Sequence, residues 1–144
     1  MAKVKWLTPF IFLILFGQTG LSQNIKQAID GVYRLPNGLD VQLFKNSEGN
    51  YSGKIVALNN YEYGEWQDVN NPEKEKRKDS LVGKVIITGL TFVAAKSRYS
   101  DGIMYGPEKG LFFNLQINKS NAEGIEVVGS KFLFSRTMLW KRIE

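Results

Sequence analysis

Leu39-Asp40-Val41-Gln42-Leu43-Phe44-Lys45 alternates apolar and polar side chains, and Pro36-Asn37-Gly38 separates it from Asp30-Gly31-Val32-Tyr33-Arg34-Leu35. Asn-Gly tolerates the positive φ angles of a tight hairpin turn, so the two stretches read as antiparallel partners. Leu39, Val41 and Leu43 fall on one face, Asp40 and Gln42 on the other. A second turn at Asn46-Ser47-Glu48-Gly49-Asn50 leads into Tyr51 to Leu58, extending the pair to a three-stranded meander.

The same period of two returns further along. Strands are expected at Leu81 to Thr88, Leu90 to Lys96, Gly102 to Tyr105, Leu111 to Lys119 and Gly124 to Gly129. A last strand-like stretch runs from Lys131 to Ile143, with a bend near Ser135. Between the third and fourth strands, residues 59–80 are polar and long for a connection, and read as a lid or an excursion. The fold class is all-β, an antiparallel meander of eight or nine strands. Sandwich and barrel both accommodate it, and meander order with the need to eliminate sheet edges favours closure into a barrel. Strands shorter than about 9 to 11 residues argue against a membrane-embedded barrel.

Upstream, Lys3 and Lys5 precede an apolar run from Trp6 to Phe16, and Gly20 and Ser22 place small side chains before a cut after Ser22. The run is well short of the roughly 20 apolar residues that span a bilayer. Residues 1–22 therefore read as a cleaved signal peptide, and 23–144 as one exported domain, periplasmic or extracellular, with no transmembrane span. Loss of the leader's two lysines lowers the formal charge from +5 to +3. The densest charge run, Glu73 to Asp79, interleaves acids with bases, so no nucleic-acid face is expected. With no cysteine, the domain has no disulfide framework and depends on its core.

Histidine is absent as well, which removes the commonest general base and zinc ligand and leaves only carboxylates for catalysis. Asp30, Glu62, Glu65, Asp68, Asp101 and Glu108 are scattered acids of the kind that are ordinarily solvated. No enzyme, metal or cofactor is expected. Aromatics remain as contact candidates: Tyr61, Tyr63 and Trp66 in the long loop as anchors or gates, and Phe113 and Phe132 as core or cavity lining. The reading is a binding module that takes a small apolar or amphipathic molecule in or at the mouth of a barrel. The alternative is a filled barrel that contacts an envelope partner by its surface.

Four motifs in order, Gly31-Val32-Tyr33, Tyr51-Ser52-Gly53-Lys54-Ile55, Gly102-Ile103-Met104-Tyr105-Gly106-Pro107 and Trp140-Lys141-Arg142, resemble a bacterial exported family, the domain of unknown function numbered 2147. The resemblance implies a lipocalin-like, calycin-type β-barrel in a Gram-negative envelope, and it implies no reaction. Gly106 and Leu111 stand where that family usually has an acidic residue and a lysine. A looser similarity to lipocalins concerns a closed end: Gly31-x-Tyr33 beneath Arg142 or Arg136, beside Trp140, would set a guanidinium on an aromatic face.

Overall fold

The computed structural model describes residues 28–62 and 66–144. The expected leader and Tyr63 and Glu65 lie outside them. Eight strands follow one another: β1 (Gly31–Arg34), β2 (Leu39–Lys45), β3 (Tyr51–Leu58), β4 (Val85–Val93), β5 (Arg98–Gly106), β6 (Leu111–Ser120), β7 (Gly124–Lys131) and β8 (Phe134–Arg142). Each pairs antiparallel with its neighbour, and β8 returns to β1 through Tyr33 opposite Arg142, closing a barrel. The first hairpin forms as its sequence dictates. Gly38 adopts φ +89°, and the Asn37 side chain accepts a bond from the Leu39 N–H at 3.2 Å.

Several boundaries differ from the sequence reading: β4 begins at Val85 rather than Leu81, and β5 at Arg98 rather than Gly102. Gly89 was expected to separate two strands, but β4 runs straight through it, with Gly89 at φ +75° as an irregularity within one strand; glycine permits this backbone without a Cβ clash. The last stretch was expected to be one strand from Lys131 to Ile143 with a bend near Ser135. Instead Phe132 and Leu133 form a two-residue turn between β7 and β8, with Phe132 at φ 55°. No turn residue marks that reversal.

Inward positions are apolar. Tyr33, Leu39, Val41, Leu43, Ile55, Ile87, Leu90, Leu115, Ile117, Ile125, Val127 and Trp140 are all at most 1 % exposed and belong to one cluster. Each fully buried side chain of this size contributes about 1.5–3 kcal/mol. The core faces the barrel axis, the reverse of a membrane barrel's outward apolar band. Among the described residues no helix is long and apolar enough to cross a membrane.

An even number of antiparallel strands brings the start of β1 and the end of β8 to one end of the barrel. The turns after β2, β4 and β6 share that end. At the other end lie the β1–β2, β5–β6 and β7–β8 turns and the long β3–β4 connection.

That connection is fastened down. The Asp68 side chain is fully enclosed; its Oδ1 accepts from the Tyr105 hydroxyl at 2.7 Å, and its Oδ2 accepts from Asn71 Nδ2 at 2.7 Å and lies 3.1 Å from Lys84 Nζ. Asn70 Nδ2 donates to the carbonyls of Pro107 and Glu108. Tyr105 alternates with the inward Met104, so the connection lies against the outside of the wall. Asp68, read as one of the solvated acids, is an internal anchor.

Candidate functional site

The end of the barrel that holds the start of β1 and the end of β8 is closed by a packed group. The Arg142 guanidinium carbon sits 4.9 Å from the centroid of the Tyr33 ring, and its Nη1 donates to the Asp30 carbonyl at 2.9 Å. Gly31 leaves the room: a Cβ there would lie 2.7 Å from Arg142 Nη1, and its φ of +149° disfavours any other residue. Tyr33 donates its hydroxyl to the Ile29 carbonyl at 2.9 Å, and Tyr51 donates to Asp30 Oδ2 at 2.8 Å. Trp140 is buried on the same face of β8. Arg136, the other arginine considered for this place, is not here. It points inward three alternations earlier on β8, at the opposite end.

Burial pushes the Tyr33 phenol up to about 12, with the nearby Asp30 carboxylate adding to the rise and Arg142 opposing it. Tyr51 and Tyr105 are raised for the same first reason, and then by their bonds to Asp30 and Asp68. In the unfolded chain these phenols ionise near 10. Above that pH the unfolded state sheds protons that the folded state retains. The contribution of these phenols is therefore expected to be constant below pH 10, and stability to fall steadily from pH 10 to 12. Thermal melts across that range check this, and Tyr33→Phe should shallow the decline; a flat profile to pH 12 would refute it.

At the opposite end the barrel opens into a cavity of about 310 Å³. Its lining follows from strand alternation. Leu111 and Phe113 continue the inward face of Leu115 and Ile117 on β6; Gly129 and Lys131 continue that of Ile125 and Val127 on β7; Phe134, Arg136 and Met138 continue that of Trp140 on β8. Gly106, Glu108 and Lys109 complete one side. A Cβ on Gly129 would come within 3.2 Å of the Phe113 ring, so the glycine makes space for that ring. Lys109, Lys131 and Arg136 bring three cations against the single carboxylate of Glu108, whose buried Oε2 has no hydrogen-bond partner among the described residues. Beneath the cavity the barrel is filled.

A larger and more enclosed pocket of about 580 Å³ lies on the flank near the closed end, where Glu126, Leu139 and Lys141 face outward. Lys119 and Glu126 approach to 3.7 Å there. At the mouth, Lys131 Nζ donates to the Phe112 carbonyl at 2.8 Å.

The aromatic candidates separate. Phe113 lines the mouth. Phe132 stands 90 % exposed on the turn beside it. Tyr61 packs against the core cluster, and Trp66 is exposed on the long connection. None of that connection's described residues lines the cavity, and Asp68 and Asn70 tie it to the outer wall. Leu111, Gly129, Lys131, Phe134 and Met138 were missed, although counting back by twos from Trp140 reaches Met138, Arg136 and Phe134.

Residues 31–142 match the model of a family described as "uncharacterized protein conserved in bacteria (DUF2147)". Among solved structures, protein HP1028 from the human pathogen Helicobacter pylori, described as belonging to the lipocalin family, is similar in fold. It aligns with a TM-score of 0.68 at 22 % identity, over 81 % of this chain and 84 % of that one. No curated protein sequence matches.

Proposed function

Since the chain belongs to the DUF2147 family of bacterial proteins and folds as a lipocalin-like barrel, we propose that it is an exported, non-enzymatic binding module for a small amphipathic molecule. The observation that carries this is the mouth. Its apolar lining of Leu111, Phe113, Phe134 and Met138, interspersed with Lys109, Lys131 and Arg136, suits an apolar body with an anionic head. Its volume is at the lower end of small-molecule sites, which are typically apolar with a few placed polar groups. Export rests on the basic, apolar and small-residue order of positions 1–22.

Native mass spectrometry of protein recovered from its own cells should show a chain beginning at Gln23 with a small molecule retained. Anilinonaphthalene sulfonate, an aromatic body with a sulfonate head, serves as a defined probe. It is expected to bind the intact mouth. Leu111→Trp should fill the cavity and weaken binding at least about tenfold, the equivalent of some 1.4 kcal/mol, and Arg136→Glu should weaken it through charge. Unchanged probe affinity in both variants would falsify the mouth as the site, and an intact leader would remove the export reading.

A further inference from the structure

We propose that the β7–β8 turn is a membrane-docking finger that seats the mouth end of the barrel on a bilayer surface bearing anionic headgroups. Phe132, Leu133 and Phe134 are 90 %, 100 % and 81 % exposed and are consecutive. Isolated exposed apolar residues are ordinary, but three large ones together at a protruding tip are not.

The backbone adds a second, independent observation. A two-residue hairpin turn favours asparagine, aspartate or glycine because φ is positive there. Here Phe132 occupies that conformation, at φ 55°. A bulky side chain in the left-handed region is disfavoured. The turn thus accepts backbone strain and apolar exposure at one point, and neither is relieved by a contact within the barrel. On the adjoining outer wall, Ile103 and Phe112 are 42 % and 52 % exposed, widening the apolar surface beside Phe132.

Charge selects the occupant. Lys131 flanks the turn, its Nζ 5.4 Å from the Phe132 ring centroid. Lys109 and Arg136 stand at the same end, with Glu108 the single carboxylate among the mouth-lining residues. Apolar side chains that enter the acyl boundary, beneath cations at headgroup level, are the arrangement by which proteins lie on anionic bilayers. Pairing of two copies tip to tip would instead bring Lys131 and Arg136 of both together. The proposal holds whatever the mouth contains.

The test is co-sedimentation of the chain from Gln23, which keeps every strand and core residue, with phosphatidylglycerol–phosphatidylcholine vesicles and with phosphatidylcholine alone. Phe132→Ser/Leu133→Ser leaves the mouth-lining Phe134 in place. Expected are preferential binding to the anionic vesicles, weakening with salt, and at least about a tenfold loss in the double variant, since each large apolar side chain returned to water is worth roughly that factor. Its melting temperature and probe binding should be retained. Equal pelleting of variant and parent overturns the proposal, as does absence of binding to anionic vesicles. So does a result in which the substitutions change only self-association, which would assign the tip to a second copy.

Discussion

Asp68→Ala is expected to lower the free energy of unfolding by about 3 to 5 kcal/mol, the usual cost of removing one partner from a buried ion pair. The carboxylate serves three groups at once, the Tyr105 hydroxyl, the Asn71 amide and the Lys84 ammonium, and water does not reach it. Its removal leaves the Tyr105 hydroxyl and a mostly enclosed ammonium without their acceptor. Among the described residues, the other acid near Lys84 is Asp79, at 3.9 Å and itself half exposed. Tyr105→Phe, which removes a single bond and leaves the carboxylate paired, should cost about 1 kcal/mol. The connection should also loosen locally, because Asp68 holds it against β5. The amide of Leu81, which donates to the Trp66 carbonyl at 2.9 Å, should then exchange faster. Urea unfolding and amide exchange of both variants check this. A loss below 1 kcal/mol for Asp68→Ala would mean that the connection is held by other contacts.

Trp140→Ala should be comparably damaging, about 3–5 kcal/mol, because the side chain is 1 % exposed in the middle of the core and its loss leaves a large cavity. Trp140→Phe separates volume from polarity. The indole Nε1 has no hydrogen-bond partner among the described residues. Phenylalanine therefore gives up part of the packing but no hydrogen bond, and removes an unsatisfied donor. A cost under about 1.5 kcal/mol is expected. If Trp140→Phe proved as harmful as Trp140→Ala, the indole nitrogen would have to hold a partner such as a bound water. Chemical denaturation of the two variants decides between these.

Particular elements show where reading along the chain worked. Asn37-Gly38 carries its turn in its own chemistry, and the alternation of Leu39 to Lys45 follows directly. The Phe132–Leu133 turn carries no such signal: two apolar residues in a strand-like run look like more strand, and the reversal is imposed by β8 pairing back onto β7 from Lys131 opposite Phe134 to Gly124 opposite Lys141. Arg136 and Arg142 pose a different problem. Both occupy the inward face of β8, six residues and therefore about 20 Å apart, which is the depth of the barrel. Alternation assigns the face and says nothing about which end. Phe113 was read as core or cavity lining, and the mouth as a whole was not legible, since its residues come from four strands and a turn.

By itself the sequence determined the all-β meander, its first hairpin, the dependence on a core without disulfides and the lack of histidine and cysteine chemistry. These rest on local terms: side-chain period, turn conformation and composition. Only the tertiary structure decided that the barrel is filled below and open at one end, that Asp68 is an anchor, that Asp68 and Asn70 tie the long connection to the wall, and that Phe132 and Leu133 face solvent. Each of these depends on how strands far apart in the chain are registered around a closed ring. No local propensity encodes a closure that exists only once β8 has met β1.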